Sequence, residues 1–143
     1  MNKYILYLIL LLEFNYCASP KTEKLYLSQN LELLTDSYAI VFYHDGDCSY
    51  CYSVLDDMGK SFPKALIVSV TKLKDTSLIN FQLERFAFKG CSIIDSSGTF
   101  YLNNSELLIK DRLFLVNVNR EILLKGLEYN QDTKKHLKNI LNE

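Results

Sequence analysis

The order of apolar and polar residues along the chain predicts short buried strands alternating with amphipathic helices. An apolar run rich in β-branched and aromatic residues, 39–43, is typical of a buried strand, because the turn residues 44–47 bound it. Helical spacing follows, with four apolar residues on one face: Val54, Leu55, Met58 and Phe62. A second apolar run, 65–70, then predicts a strand parallel to the first.

The spacing of apolar residues also predicts two helices that flank this unit. Leucines at positions 27, 31 and 34 indicate a short helix over residues 25–34. An apolar stripe indicates another helix over residues 77–88, with Thr76 or Ser77 as its N-terminal cap and Gly90 closing it.

The C-terminal third of the chain predicts further strands and a last helix. Residues 91–95 predict a short strand that ends in a Ser-Ser-Gly turn, whereas residues 99–108 fit no single class. Apolar runs over 112–118 and 121–125, joined at Asn119-Arg120, indicate an antiparallel hairpin. Three apolar residues give one face to a closing helix that starts near Asn130 or Asp132: Leu137, Ile140 and Leu141.

The N-terminus predicts export. Residues 1–16 combine a positive Lys3 with an unbroken apolar run that is too short for a comfortable membrane span. Cys17 follows directly, and this arrangement resembles a bacterial lipoprotein, in which the signal is cut just before a lipid-bearing cysteine. A plain signal peptide with a free Cys17 and an uncleaved membrane anchor are the alternatives. Residues 17–24 then predict a tether, and residues 25–143 predict the folded domain, outside the cytoplasm where disulfides persist.

The composition indicates a single compact domain and excludes one class of partner. The chain has 143 residues, of which 48% are apolar and 13% aromatic, enough to build one hydrophobic core. Its formal net charge is −1 and its basic residues are scattered, so it lacks the basic face that nucleic-acid binding requires.

The pair Cys48-Ser49-Tyr50-Cys51 lies between the first predicted strand and its helix. There the first sulfur sits at a helix N-terminus, where unpaired N–H groups favour a thiolate, and the second lies one turn on. This placement suits thiol–disulfide exchange, with Cys48 as nucleophile and Cys51 as resolving thiol. Asp47 opposes the thiolate because it is a neighbouring negative charge, which favours a reductase or a weak exchanger.

These elements together resemble the thioredoxin-like superfamily. The resemblance covers nearly all of residues 25–143, and with the export signal, the segment Ile93-Ile94-Asp95 and the run 113–126 the chain looks most like the TlpA-like thioredoxin lipoproteins of bacterial envelopes. It implies an α/β fold with a central mixed sheet flanked by helices, an exposed first cysteine and a more buried second one. It also implies an enzyme that acts on protein disulfides or dithiols, without a cofactor or a metal, supplied by an upstream thiol donor.

The chain departs from the pattern of this superfamily in its active-site surroundings. Asp47 stands where most active members have Trp, and Phe42 replaces the buried carboxylate of many thioredoxins. The proline that usually faces the disulfide should fall near Arg112, where no proline is present. Arg112 is either a modulator beside the disulfide, able to hold an anionic partner, or a solvated side chain at a strand start.

Other interpretations of the cysteines stay open at this point. The Cys48–Cys51 pair could be a structural staple in a non-catalytic lipoprotein that binds a protein partner. His44, Cys48, Cys51 and Cys91 could form a loose zinc set, although an exposed turn histidine is the simpler interpretation of His44. His44 could also modulate the thiolate or relay a proton. Cys91 fits a buried free thiol at the head of a strand.

Overall fold

The computed structural model describes residues 22–27, 37–72 and 74–143. Their centre is one five-stranded mixed sheet in the order β3-β2-β1-β4-β5. β1 pairs in parallel with β2 and antiparallel with β4, while β2–β3 is parallel and β4–β5 antiparallel. The strands are β1 Tyr38–His44, β2 Ala65–Thr71, β3 Cys91–Ile94, β4 Leu113–Val116 and β5 Ile122–Gly126.

Five helices within the described ranges flank the sheet. They are α1 Ser49–Ser61, α2 Thr76–Arg85, α3 Thr99–Asn103, α4 Ser105–Leu108 and α5 Gln131–Leu141. The predicted α/β architecture, a mixed sheet flanked by helices, is therefore confirmed. Across the described ranges, every helix is too short or too polar to cross a membrane. The signal segment predicted over residues 1–16 lies outside the described residues.

Alternating residues of β1 divide the hydrophobic core into two clusters, because successive side chains of a strand point to opposite faces. Ile40 and Phe42 belong to the cluster packed by α1 and α5, and we call this side the α1 face. Ala39, Val41 and Tyr43 belong to the cluster on the opposite face, which contains Leu25, Leu27 and Phe100. The four apolar residues predicted to form the inner side of the first helix are all buried on the α1 face: Val54, Leu55, Met58 and Phe62.

The short helix predicted over residues 25–34 is wrong for its first residues. Leu25, Tyr26 and Leu27 are extended, with the two leucines buried and Tyr26 exposed, which is the alternation of a strand. Lys24 forms an antiparallel bridge with Glu121, and the Leu25 N–H donates to the Arg120 carbonyl. Cross-strand hydrogen bonds therefore override the helical leucine spacing, and residues 28–36 lie outside the described part of the chain.

Helix α2 is shorter than predicted at its C-terminal end and has a different cap. The Asp75 side chain accepts the Leu78 N–H, so Asp75, rather than Thr76 or Ser77, is the cap. The helix ends at Arg85, followed by Ala87 with a left-handed φ of 49°. Gly90 does not close the helix. A Cβ there would lie 2.2 Å from the Ile67 carbonyl oxygen, so glycine allows the chain to pass close to β2.

The late hairpin forms as predicted, but its turn is longer than two residues. The strands stop at Val116 and resume at Ile122, with a bulge at Leu115/Val116. The Asn117 side chain accepts the N–H groups of Asn119 and Glu121, and this bonding stabilises the wider turn. The ambiguous residues 99–108 form the short helices α3 and α4.

Candidate active site

The strand–turn–helix junction places both candidate cysteines at one end of the sheet. β1 ends at His44, and Gly46 turns the chain with a φ of 93°, a left-handed value that favours glycine. The Tyr52 hydroxyl donates to the Gly46 carbonyl at 2.9 Å. This bond ties the first turn of α1 back to the loop that carries Cys48.

Cys48 and Cys51 form a disulfide across the first turn of α1, with their Cα atoms 5.3 Å apart. Cys48 is the N-terminal cap of the helix, and its Sγ accepts the Cys51 N–H at 3.2 Å. The first turn of this helix contains no acidic residue. Unpaired N–H groups and the helix dipole therefore favour negative charge on the Cys48 sulfur once the disulfide is reduced.

The two cysteines differ in what surrounds them. Both cysteines are half-buried. Cys51, however, packs against the hydrophobic cluster of the α1 face, whereas Cys48 sits at the helix cap. Cys51 also lines a groove of about 620 Å³ between α1 and the segment that leads into α5.

This groove, which we call the Cys51 groove, has aromatic and charged walls. Its described lining comprises Phe42, Tyr50, Cys51, Ser53, Val54, Asp57, Arg112, Leu127, Glu128, Tyr129, Asn130, Gln131 and Lys134. Asp57 is held on both sides, because the Lys134 ammonium and the Tyr129 hydroxyl bond to the same carboxylate oxygen at 2.8 and 2.7 Å. The hydrogen bond from Lys134 lowers the pKa of Asp57, while burial raises the pKa of Tyr129.

His44 is buried, so the prediction of an exposed turn histidine is wrong. It is the last residue of β1 and only 1% exposed, with its Nε2 2.8 Å from the Ser69 Oγ. Its ring stacks on Phe42 and meets Tyr52 edge-on at 5.2 Å. Burial lowers the pKa of His44 to about 4, so the ring is neutral at neutral pH. The Nδ1 atom has no hydrogen-bond partner among the described residues.

Arg112 and Asp45 meet beside the disulfide in a small charge cluster. The Arg112 carbonyl accepts the Tyr43 N–H, which sets Arg112 alongside the end of β1. Asp45 is 3.0 Å from the Lys72 ammonium and 3.6 Å from the Arg112 guanidinium. The hydrogen bond from Lys72 lowers the pKa of Asp45. Asp47 is exposed and directly precedes Cys48.

The possible zinc set is not brought together. Cys91 is a free, half-buried thiol on β3 that packs with the cluster on the opposite face of the sheet. Cys51 packs on the α1 face, and the imidazole of His44 is bonded to Ser69. Burial raises the pKa of the Cys91 thiol, which favours the protonated form. Cys91 therefore stands apart from the junction, as a thiol without a disulfide partner in the described part of the chain.

Three residues that shape this site were not predicted from the sequence: Tyr52, Ser69 and Lys72. Ser69 interrupts an apolar strand, and a buried hydroxyl needs a hydrogen-bond partner, so it could have been flagged. Strand alternation also places His44 on the same face as Phe42. Nothing in the local pattern indicates that the Tyr52 hydroxyl reaches back to Gly46, or that Lys72 pairs with Asp45.

Comparison with solved structures identifies the fold. No protein-family model and no curated sequence matches the chain. A thiol-disulfide oxidoreductase from Bacteroides fragilis aligns with a TM-score of 0.62 at 14% identity, over 80% of this chain and 88% of its own.

Two other structures align similarly. The thioredoxin domain of a thiol-disulfide oxidoreductase from Bacteroides vulgatus aligns with a TM-score of 0.61 at 14% identity, over 74% of this chain and 80% of its own. A secreted Mycobacterium tuberculosis disulfide oxidoreductase, homologous to Escherichia coli DsbE, aligns with a TM-score of 0.55 at 10% identity. The alignment covers 76% of this chain and 83% of that protein. Identities this low establish the architecture alone.

Proposed function

We propose that this chain, which has the thioredoxin-like fold, is a thiol–disulfide oxidoreductase that acts on protein disulfides through Cys48 and Cys51. The observation that carries the proposal is the cap of α1, where the Cys48 sulfur accepts the Cys51 N–H at a helix N-terminus. A disulfide that served only as a staple would have no need of a position that stabilises a thiolate. The oxidoreductases of similar fold are consistent with this assignment.

In the proposed reaction the dithiol form reduces a substrate disulfide. The Cys48 thiolate attacks one substrate sulfur, forming a mixed disulfide and releasing the other substrate sulfur as a thiolate that takes a proton from solvent. Cys51, deprotonated in turn, attacks the Cys48 sulfur and releases the second substrate thiol. Two electrons pass from the protein to the substrate, and the Cys48–Cys51 disulfide forms. A thiol donor must then reduce this disulfide before the next turnover.

Three neighbours adjust this reactivity in the proposal. Asp47 disfavours the Cys48 thiolate, and this shifts the pair toward a reductase or a weak exchanger. Arg112 supplies positive charge beside the disulfide and partly offsets that effect. His44 stays neutral and packs against Tyr52, so it positions the loop before Cys48 rather than exchanging protons with solvent.

A trapping experiment with the full chain tests the redox role. In Cys51→Ser, Cys48 can still attack a substrate disulfide, but no second thiol is present to release the substrate. Mixed disulfides between Cys48 and oxidised protein substrates should therefore accumulate. Cys91→Ser is the matched control and should trap nothing, because it leaves the exchanging pair complete. The alternative is that the pair is a structural disulfide in a non-catalytic binding protein. In that case Cys51→Ser accumulates no adduct with envelope proteins, the wild-type protein does not reduce insulin, and the Cys48–Cys51 disulfide is not reduced at the redox potential of the envelope.

We also propose that the protein works outside the cytoplasm of a bacterium, tethered by a lipid on Cys17. The support is the sequence of residues 1–17 together with the secreted Mycobacterium tuberculosis neighbour. Cys17→Ala should release the protein from the membrane fraction, whereas Cys91→Ser should leave it there. Equal membrane partition of Cys17→Ala and wild type would contradict the lipid anchor.

A further inference from the structure

Two basic residues line the Cys51 groove, and Arg112 is the less firmly paired of them. It lines the groove together with Cys51, and its side chain is 46% exposed. Its only ion-pair partner in the described residues is Asp45, and the separation of 3.6 Å is long for a guanidinium–carboxylate bond. An exposed ion pair of this length contributes little free energy, so a substrate carboxylate that lies closer to Arg112 can replace Asp45.

The other charged residues in and beside the Cys51 groove allow Arg112 to bind a substrate carboxylate in place of Asp45. Asp45 would not be left alone, because Lys72 already holds it at 3.0 Å. Lys134 is committed to Asp57, which also receives the Tyr129 hydroxyl. Glu128 also lines the groove and is exposed, without an ion-pair partner among the described side chains. Arg112 is therefore the cation available to an incoming anion.

We propose that Arg112 selects disulfide substrates in which an acidic residue flanks the reacting half-cystine. The proposal rests on the function proposed above and adds the chemistry of the substrate. A peptide segment in the groove would place its carboxylate on the guanidinium, whose planar fork of N–H donors matches a carboxylate. Aromatic and apolar walls, including Tyr50 and Leu127, contact the remainder of the segment. Asp47 repels acids on its own side of Cys48, so the preference depends on which flank carries the acid.

Matched peptide disulfides test this preference with the reduced full chain. Three fluorogenic peptides carry Gln on both flanks, Glu before the half-cystine, or Glu after it, and the second-order rate of their reduction is measured at low salt. We expect the faster of the two Glu peptides to exceed the Gln peptide by about threefold to fivefold, the range of one exposed ion pair. High salt should reduce the ratio because it screens exposed charges.

Variants assign the preference to one side chain. In Arg112→Gln the rate ratio between the faster Glu peptide and the Gln peptide should fall close to one. Arg112→Lys should keep only part of the preference, because an ammonium lacks the bidentate fork. Lys74→Gln removes one positive charge from a neighbouring cleft that Asp45 and Asp47 line, outside the groove, so it should retain most of the preference. Circular dichroism of Arg112→Gln checks that the fold is kept, as expected because Arg112 pairs with β1 and β5 through its backbone.

The outcomes separate this inference from the proposed function. If the Gln peptide is not reduced, the oxidoreductase assignment itself fails. If the Gln peptide is reduced but neither Glu peptide is faster, the acid preference is overturned. The assignment to Arg112 is also overturned if Lys74→Gln lowers the ratio as much as Arg112→Gln, because a general field around the disulfide would then explain it.

Discussion

The two faces of the central sheet are formed by alternating residues of β1 but differ in where their buried polar groups lie. On the opposite face, Val41 and Tyr43 pack into a cluster that α3, α4 and residues 22–27 cover. On the α1 face, the residue after Phe42 in the alternation is His44, which is buried and bonded to Ser69. That face also carries the disulfide and the Cys51 groove.

This difference indicates a division of labour along β1. On the opposite face the buried polar side chains of Asp95 and Asn104 bond to the backbone around Phe100, whereas the α1 face holds its buried polar groups next to the helix cap that carries Cys48. Buried polar groups cost free energy unless they are hydrogen-bonded, and His44 has only one of its two ring nitrogens paired in the described structure. Substitutions on the opposite face should therefore alter stability but not redox chemistry, whereas some on the α1 face, such as Tyr52→Phe, should alter both.

The largest effect is expected on the opposite face. Phe100, which is 1% exposed, closes the cluster above Tyr43, so Phe100→Ala should lower the free energy of unfolding by about 3 to 5 kcal/mol. Denaturant unfolding measures the loss. The reduction potential of the Cys48–Cys51 pair should stay unchanged in the variant that remains folded.

Phe81→Ala is the matched control, because Phe81 is 60% exposed and its loss should cost less than about 0.5 kcal/mol. A shift of the reduction potential in Phe100→Ala, absent in Phe81→Ala, would show that the two faces are not independent.

The second prediction concerns the buried histidine of the α1 face. The pKa of His44 is lowered from 6.5 to about 4 in the folded protein. As the pH falls below 6.5 the unfolded chain therefore binds the proton first, and folding stability decreases until the pH reaches about 4. The loss contributed by His44 should amount to roughly 3 kcal/mol.

The slope of unfolding free energy against pH, between about 5 and 6.5, isolates this contribution because most carboxylates are ionised there. His44→Gln should flatten the slope, whatever its effect on stability at neutral pH. His136→Gln, at the other histidine of the chain, which is exposed on α5, should keep the wild-type slope. An unchanged slope in His44→Gln would mean that the ring is not held neutral by burial.

The sequence predicted the features that depend on local patterns and missed those that depend on contacts with distant parts of the chain. Apolar periodicity identified the five strands, α1 and α5, because burial determines which residues occupy them. It misjudged residues 25–27, where a bridge to Glu121 from a distant part of the chain decides the conformation. The cysteine pair is local in sequence, so its helix cap was predictable. The partners of His44 and Asp45 come from β2 and the residue after it, and local spacing carries no information about such contacts.

A smaller effect is expected where the α1 face meets the loop before Cys48. Tyr52→Phe keeps the ring but removes the hydroxyl that donates to the Gly46 carbonyl, and this should lower the free energy of unfolding by about 1 to 2 kcal/mol. The loosened loop should also slow alkylation of Cys48 in the reduced protein at neutral pH, since the sulfur is held less well at the helix cap.

Tyr101→Phe removes a hydroxyl from the opposite face, where Tyr101 is 46% exposed, and should change both measurements little. A Tyr52→Phe protein that loses stability but alkylates at the wild-type rate would limit Tyr52 to a structural role.

The smallest effect should come from the exposed carboxylate beside Cys48. Asp47→Asn removes a negative charge that opposes the thiolate, so Cys48 in the reduced protein should alkylate about twofold faster at neutral pH, the size expected for one exposed charge. The pH at half-maximal rate should fall accordingly, and added salt should narrow the difference from wild type. Glu106→Gln on α4 removes the same charge far from the disulfide and should leave the rate unchanged. A slower rate in Asp47→Asn would mean that Asp47 promotes the thiolate, for example as a proton acceptor, and the bias toward reduction would then need another cause.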